Sequence, residues 1–162
     1  MINKSVTKQF DLSNKNVIIT GGAGFLGLNF AEAISEMGGF PILLDLNNED
    51  LKKSCKILSN NGYKSDYYQL DITNKSNIEV VFKSIESKYK KIDVLINAAA
   101  FAMKNLKEGG ENFFAPFEDY EKELWEVSLN VNLTGTFLIT QFAGKIMKKK
   151  GKGVIINIAS DV

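Results

Sequence analysis

The sequence predicts an α/β fold built on a doubly wound parallel sheet with the strand order 3-2-1-4-5. Short apolar runs alternate with amphipathic stretches from Lys15 to the end of the chain, and such alternation is typical of βαβ units with right-handed crossovers. A glycine-rich turn joins the first apolar run to the first amphipathic stretch, and polar side chains follow the second and fourth runs. Ligand-binding residues at the carboxyl ends of strands are typical of open α/β sheets.

Five strands are predicted from runs of β-branched and other apolar residues. After the first strand, apolar side chains recur at helical spacing from Leu26 to Met37, and Gly38 stops that helix. A second helix begins at Asn47 or Asn48, either of which is a favourable N-cap residue. A third amphipathic helix precedes the fourth strand. The predicted strands are residues 17–19, 42–44, 66–70, 92–96 and 154–158.

The last third of the chain contains a predicted loop and a long helix. Residues 101–117 form the loop, and loops longer than about 12 residues are usually functional or disordered, so it is a candidate pocket wall. Residues 120–150 are predicted as helix, with a candidate break near residues 132–135. The fifth strand, residues 154–158, would lie at an open edge of the sheet. Its uncharged β-branched sequence predicts pairing with a second copy or aggregation.

Composition excludes several kinds of site. The 162 residues include no histidine and one cysteine, which excludes Ser-His-Asp and Cys-His catalysis, His/Cys zinc sites and internal disulfides. The net charge of +1 gives no reason to expect nucleic acid or an anionic membrane as a partner, and the lysines of residues 145–152 are interpreted as a solvated helix end. No apolar run reaches the ~18 residues of a membrane span, and residues 1–10 do not resemble a signal peptide. Residues 1–162 are therefore expected to form a single soluble, cytoplasmic domain.

The turn from Thr20 to Gly27 contains the pattern G-x-G-x-x-G at Gly22, Gly24 and Gly27. One glycine permits the tight turn, one lets the backbone approach a pyrophosphate, and one lets the helix pack closely on the strand. The N–H groups at the start of the helix would face the phosphates, so the pattern predicts a Rossmann-like dinucleotide site. A tight turn without a ligand is the plain alternative. A P-loop is disfavoured because no Gly-Lys-Ser/Thr follows, and an S-adenosylmethionine site because Thr20 stands where an acidic residue usually precedes the glycines.

Asp45 ends the second predicted strand, about 20 residues after the glycines, where an acidic residue can bind the ribose hydroxyls of an adenosine. A carboxylate at this position would repel a 2′-phosphate. No arginine or lysine lies in the glycine turn or beside Asp45 to favour that phosphate. The sequence therefore predicts NAD rather than NADP. The alternative is that Asp45 only caps the loop into the next helix.

Four further motifs make the sequence resemble the short-chain dehydrogenase/reductase family from about Lys15 to Val162. They are similar to the family's adenine-contacting turn, its Asn-Ala-Ala-Gly motif after the fourth strand, its asparagine-bearing helix, and the strand that delivers its catalytic serine. In this sequence the motifs are residues 70–73 (Leu-Asp-Ile-Thr), 97–100 (Asn-Ala-Ala-Ala), 130–135 (Asn-Val-Asn-Leu-Thr-Gly) and 156–160 (Ile-Asn-Ile-Ala-Ser).

The resemblance implies which residues would form the site. Ser160 would hydrogen-bond the substrate oxygen, and Asn132 would take the structural and proton-relay position. Hydride would pass between the nicotinamide and a carbonyl or alcohol carbon of a small-molecule substrate, with a sugar derivative as a candidate. Related proteins pair through the helices equivalent to residues 120–147, so a homo-oligomer is expected, without nucleic acid, membrane or metal. The implied cofactor-binding residues are Thr20, Gly21, Gly22, Gly24, Phe25, Leu26, Gly27, Asp45, Leu46, Asp71, Ile72, Asn97, Ala98 and Ala99.

Two features depart from the family pattern. The glycine spacing at 21, 24 and 27 is that of long-form members, many of which modify nucleotide sugars, and Phe25 stands where the short form has glycine. The family's Tyr-x-x-x-Lys pair is missing, because none of the five tyrosines has a lysine four residues later. We therefore expect an N-terminal part, without the family's C-terminal strands and helices, that binds dinucleotide and is inactive by itself. The alternatives are a non-catalytic dinucleotide-binding module and a nucleotide-sugar epimerase or dehydratase of the long-form branch.

Overall fold

The computed structural model describes residues 6–101 and 115–159. Over these residues one parallel sheet has the strand order β3-β2-β1-β4-β5, which confirms the predicted fold class and strand order. The strands are β1 (Asn16–Thr20), β2 (Phe40–Asp45), β3 (Asp66–Gln69), β4 (Val94–Asn97) and β5 (Val154–Asn157). The helices are α1 (Val6–Gln9), α2 (Phe25–Glu36), α3 (Asn48–Asn60), α4 (Lys75–Tyr89), α5 (Lys122–Leu129) and α6 (Thr136–Lys149).

The core lies in two layers, one on each face of the sheet. Alternate strand residues point to opposite faces, so Ile18 packs in the cluster that contains residues of α4 and α6. Its neighbours Val17 and Ile19 pack in the cluster that contains residues of α2 and α3. The strands β1 and β2 are therefore apolar on both faces, as expected for a parallel sheet between two helical layers.

Several element boundaries differ from the sequence prediction. The third strand ends at Gln69 and the fourth begins at Val94, one and two residues inside the predicted bounds. Asp93 still donates its N–H to the carbonyl of Asn16 at 2.9 Å, so inter-strand hydrogen bonding continues past the assigned strand. The helix α1 had no sequence signal. A 3₁₀ turn, Phe117–Asp119, follows the predicted loop, and residues 102–114 of that loop lie outside the described part of the chain.

The interruption predicted near residues 132–135 takes the form of a π-helical turn, through which helical hydrogen bonding continues. This turn, Asn130–Gly135, joins α5 to α6. At its end Gly135 lies against Ile72, and a Cβ on this glycine would come within 2.7 Å of Cγ1 of Ile72. The π-helical turn therefore ends in close contact with Ile72, and a larger residue at 135 would displace that side chain.

The strand β5 lies at the edge of the sheet, as predicted. Its side chains are exposed on both faces: Ile155 is 37% and Ile156 43% exposed, whereas Ile18 in β1 is fully buried. Among the described residues no helix is both long and apolar enough to cross a membrane.

Candidate functional site

The first connection at the carboxyl edge of the sheet joins the end of β1 to the segment after β4. Thr20 is buried, with 1% of its surface exposed. Its hydroxyl oxygen accepts hydrogen bonds from the N–H groups of Ala98 at 3.1 Å and Ala99 at 3.2 Å. An acidic residue would bring a buried charge to this position, so a neutral hydroxyl at Thr20 suits the site.

The glycine turn packs directly on that connection. Gly21 has a φ of 66°, and a Cβ on it would come within 2.9 Å of the carbonyl oxygen of Ala98 and the N and Cα of Ala99. A Cβ on Gly27 would overlap the carbonyl oxygen of Gly21 and lie 2.8 Å from Cα of Gly22. Both positions therefore require glycine for the turn to fold, whether or not a ligand is bound.

The start of α2 differs from the starts of α3 and α4. Those two helices are capped by asparagine side chains: Asn47 accepts from two backbone N–H groups and Asn74 accepts from one. The N-cap of α2 is Gly24, which has no side chain to accept from its first turn. The first N–H groups of a helix have no intrahelical partner, so those of Phe25 and Leu26 remain available to an anion.

Asp45 is placed beside the glycine turn. Its Oδ2 accepts from the N–H of Ala23 at 3.1 Å, and its Oδ1 accepts from the N–H of Asn47 at 3.2 Å. The predicted alternative of a loop role is thus also present, but the N-cap of α3 is Asn47 rather than Asp45. Each carboxylate oxygen has a second lone pair, so the group can accept further hydrogen bonds. Leu46 beside it is 66% exposed.

Asp71 and Ile72 lie in the turn between β3 and α4. Oδ1 of Asp71 accepts from the N–H of Thr73 at 2.8 Å and from its hydroxyl at 2.6 Å. The N–H of Asp71 donates to the side-chain oxygen of Asn77 at 2.9 Å. Ile72 is 8% exposed and packs against Gly135. The carboxylate of Asp71 therefore stabilises its own turn. Asn77, which has no role in the sequence prediction, stabilises the same turn by accepting from the N–H of Asp71.

Asn132 lies within the π-helical turn and bonds to the segment after β4. Its Oδ1 accepts from the N–H of Phe101 at 2.7 Å, and its Nδ2 donates to the carbonyl of Phe101 at 3.1 Å. This side chain therefore ties the long helix to the chain that leaves β4. Ser160, the predicted catalytic serine, lies outside the described residues.

Asn97 connects the end of β4 to two residues that the sequence analysis missed. Its Nδ2 donates to Oγ1 of Thr140 at 3.0 Å and to Oδ1 of Asn157 at 2.8 Å. Asn157 gave one usable signal, since it is a polar residue inside an otherwise apolar strand. Within residues 6–101 and 115–159, no group of three or more acidic or Cys side chains is placed to hold a metal ion.

The structure thus brings the glycine turn, Asp45 and residues 97–99 together at one edge of the sheet. Phe25 and Leu26 are 80% and 48% exposed at that edge. The turn at Asp71 follows the neighbouring strand β3, and Asn132 reaches the same edge through Phe101. The described residues predicted for the site therefore lie at the carboxyl ends of strands or in the segments that follow those strands. Asn132 is the exception, and it contacts such a segment through Phe101.

Comparisons with known proteins agree with this arrangement. The chain is 36% identical over 160 residues to the NAD-dependent glycerol dehydrogenase of Listeria innocua, covering 99% of this chain and 58% of that protein. It superposes on a gluconate 5-dehydrogenase from Burkholderia cenocepacia in complex with NADP and tartrate, with a TM-score of 0.84, 26% identity and coverage of 96% of this chain and 57% of that one. It also superposes on NAD⁺-bound xylitol dehydrogenase, with a TM-score of 0.81, 29% identity and coverage of 92% and 54%.

The chain spans a little over half the length of these relatives. A family model described as short chain dehydrogenase matches residues 15–162. Together with the sheet order and the glycine turn, this match shows that the chain belongs to the short-chain dehydrogenase family.

Proposed function

We propose that the protein is an NAD-preferring oxidoreductase that interconverts an alcohol and a carbonyl group on a small polyol or sugar derivative. The observation that carries the proposal is the placement of Asp45 beside the glycine turn, through the 3.1 Å hydrogen bond from Ala23. The substrate class is supported by relatives named for glycerol, xylitol and gluconate. Because the chain covers only part of each relative, both activity and substrate are proposals.

The described residues fit a dinucleotide. The uncapped first turn of α2 offers the N–H groups of Phe25 and Leu26 and the positive end of the helix dipole to a pyrophosphate. Gly24 has the most room of the four glycines in the turn, since a Cβ there would meet only the carbonyl oxygen of Gly21 at 3.2 Å. We assign Gly21, Gly22 and Gly27 to shaping the turn and Gly24 to letting the backbone approach the phosphates.

We assign the remaining cofactor contacts to the strand ends. Asp45 would accept from the ribose hydroxyls and repel a 2′-phosphate, which is the basis for NAD over NADP. Leu46 and the turn at Asp71 and Ile72 would lie against the adenine. Thr20 holds Ala98 and Ala99 in place, and those two residues with Asn97 would border the ribose and nicotinamide side. Relatives include both NAD and NADP complexes, so the preference depends on this chain's own Asp45.

The catalytic half would contain Asn132 and Ser160. The nicotinamide supplies the hydride acceptor or donor when it is bound. Ser160 would hydrogen-bond the reacting oxygen, and Asn132 would hold the proton-relay position that its bonds to Phe101 stabilise. The 162-residue sequence has no Tyr-x-x-x-Lys, and a tyrosine with a pKa of about 10 needs a nearby cation to act as a base near neutrality. We therefore expect the 162 residues alone to bind dinucleotide and turn over little.

The test is a substrate screen with a matched pair of serine variants. The protein, produced with any sequence that follows Val162, is expected to reduce NAD when given glycerol, xylitol or gluconate, measured by the absorbance of NADH. Ser160→Ala should lower kcat at least about 100-fold while the Kd for NAD stays within about twofold, because the hydroxyl contacts the reacting oxygen only. Ser84→Ala is the control, since Ser84 lies exposed on α4 and donates only to the carbonyl of Val80. Equal activity of the two variants would remove Ser160 from the site, and no turnover of any polyol would refute the substrate class.

We also propose that the protein self-associates and acts in the cytoplasm. Trp125, Leu133 and Phe137 on the long helix are 57%, 64% and 59% exposed, and β5 offers a further apolar edge. Light scattering after size exclusion should show a dimer or larger species, and Leu133→Lys should shift it towards monomer. A wild-type monomer at all concentrations would contradict the proposal.

A further inference from the structure

Three side chains from three different elements meet at the end of β4. Nδ2 of Asn97 lies 3.0 Å from Oγ1 of Thr140 on α6 and 2.8 Å from Oδ1 of Asn157 on β5. Asn97 and Asn157 are also paired in the register of the two strands. We call these three side chains the amide bridge. Asn97 and Asn157 are the last residues of β4 and β5.

In the amide bridge, Asn97 is the donor, and Thr140 and Asn157 are the acceptors. An asparagine nitrogen has two N–H groups, and here both are used, one on each acceptor. Asn97 is 4% exposed, and its Oδ1 has no donor among the described residues. The orientation of this buried side chain is therefore set by Thr140 and Asn157 alone. Loss of either acceptor would leave a buried N–H unpaired, which is costly.

The strands that the amide bridge joins are otherwise apolar. Leu95 and Ile96 pair with Ile155 and Ile156, and apolar side chains specify register only by which face is buried. The side chains of β5 are exposed on both faces, so burial gives this strand little restraint. Asn97 restrains it twice, through its side chain and through its carbonyl, which accepts from the N–H of Ile158 at 3.0 Å.

We propose that Asn157 and Thr140 are positioning residues, which act through Asn97 to fix the carboxyl end of β5 and the segment that follows it. Ser160 lies three positions after Asn157 in the sequence, so a shift of the strand end would move the chain that leads to the serine. Thr140 also lies on the helix that continues from the π-helical turn of Asn132, so the same contact links the helix of Asn132 to the end of β5. This inference rests on the proposed function for its consequence in catalysis, but the positioning itself is measurable without turnover.

The experiment uses two pairs of variants. Asn157→Leu and Thr140→Val keep the shape of the side chain and remove the acceptor. Asn157→Asp and Thr140→Ser keep an acceptor oxygen, and the charge of an aspartate is tolerable because residue 157 is exposed at the edge. Val154→Ala, at the opposite end of β5, is the control. The readouts are hydrogen exchange at the amide of Ile158, the Kd for NAD, and kcat, which is measured on the protein produced with any sequence that follows Val162.

We expect the two acceptor-removing variants to speed hydrogen exchange at Ile158. They should also lower kcat about tenfold, because a small displacement of a reacting group raises the activation free energy. The Kd for NAD should stay within twofold, and Asn157→Asp and Thr140→Ser should restore both readouts. Wild-type exchange at Ile158 in Asn157→Leu would overturn the proposal, as would an equal rise in exchange throughout the sheet. If wild-type protein oxidises no alcohol, the proposed function fails, and exchange at Ile158 still decides whether the amide bridge positions the strand end.

Discussion

The candidate site lies at the carboxyl ends of the strands, and its half beside β1 and β2 is built differently from its half beside β4 and β5. On the β1–β2 side, most of the contacts that shape the site lie within one βαβ unit: Asp45 bonds to Ala23 and Asn47, and the glycine turn folds on itself. On the β4–β5 side, the contacts join distant segments: Asn132 bonds to Phe101, and Asn97 bonds to Thr140 and Asn157. The first half is a local motif, whereas the second depends on how the helices and the edge strand dock.

Burial follows the same division. The strands β1 and β2 are covered on both faces, with Ile18 and Ile42 fully buried, while Val154 in β5 is 55% exposed. A local motif inside a buried scaffold forms whenever the scaffold folds. A site assembled from an exposed edge strand can be displaced while the scaffold stays intact. We therefore expect substitutions in the β1–β2 half to change cofactor binding and substitutions in the β4–β5 half to change turnover.

The largest effect is expected from Gly27→Ala, which attacks the β1–β2 half. The new Cβ would overlap the carbonyl oxygen of Gly21 and lie 2.8 Å from Cα of Gly22, so the turn must move, at a cost of about 3 kcal/mol. Dinucleotide binding should be lost. Gly144→Ala is the control: it lies within α6 and nothing stands within 4 Å of its Cβ position, so the variant should be about 0.5–1 kcal/mol more stable. Urea unfolding of both variants measures the contrast, and equal stabilities would show that the turn is more plastic than its geometry indicates.

A smaller effect is expected from Asp45→Ala, which leaves the turn glycines unchanged. Losing hydrogen bonds between a carboxylate and ribose hydroxyls should raise the Kd for NAD about tenfold, while NADP should bind no worse because the repulsion is gone. Asp45→Asn keeps the shape and one acceptor oxygen and should give an intermediate preference. Calorimetry with both cofactors measures the ratio. Equal dissociation constants for NAD and NADP in the wild-type protein would contradict the role of Asp45.

The sequence predicts the fold well because its signals are local. The apolar runs of β1 and β2 and the stop at Gly38 each depend on a few neighbouring residues, and the structure confirms them. Of the two N-cap candidates Asn47 and Asn48, the structure selects Asn47. The helix from residue 122 to 149 was harder, because a π-helical turn and a break give similar sequence patterns near Gly135. Gly135 also lies against Ile72, and a contact between segments so far apart in the chain has no local sequence signal.

The candidate site divides in the same way. The residues of the glycine turn and Asp45 could be predicted because their spacing alone defines the motif. The acceptors on Asn97 could not, since Thr140 has the appearance of an ordinary helix residue until the helix docks on the sheet. Cys55 illustrates the limit for burial: its place on the apolar face of α3 predicts a core residue, whereas the side chain is only partly buried and packs against the core.

Asp93 lies at the amino ends of the strands, opposite the candidate site, and joins the starts of β1 and β4. Its side chain is 7% exposed and lies 3.1 Å from the ammonium of Lys91 and 4.0 Å from that of Lys15. Its Oδ2 accepts from the N–H of Asn16 at 3.0 Å. Burial raises the pKa of this carboxyl, but the Asn16 hydrogen bond and the two lysines outweigh it, so the pKa lies below its usual value.

The smallest effect is therefore expected from Asp93→Asn, and it should change stability without changing the site. A carboxyl whose pKa is lower in the folded state stabilises the fold above its unfolded pKa of about 4, and that contribution is lost as the pH falls through the folded pKa. The wild-type free energy of unfolding should thus decline below about pH 4 more steeply than that of Asp93→Asn, which should be about 1–2 kcal/mol less stable at pH 7. Asp119→Asn, at an exposed carboxyl in the 3₁₀ turn, controls for the change in net charge. The Kd for NAD should be unchanged in both variants, because Asp93 bonds only to residues at the amino ends of the strands. A higher Kd for NAD in Asp93→Asn would show that the amino ends of the strands are coupled to the cofactor site through β1. The β1–β2 half of the site would then not be independent of contacts elsewhere in the sheet.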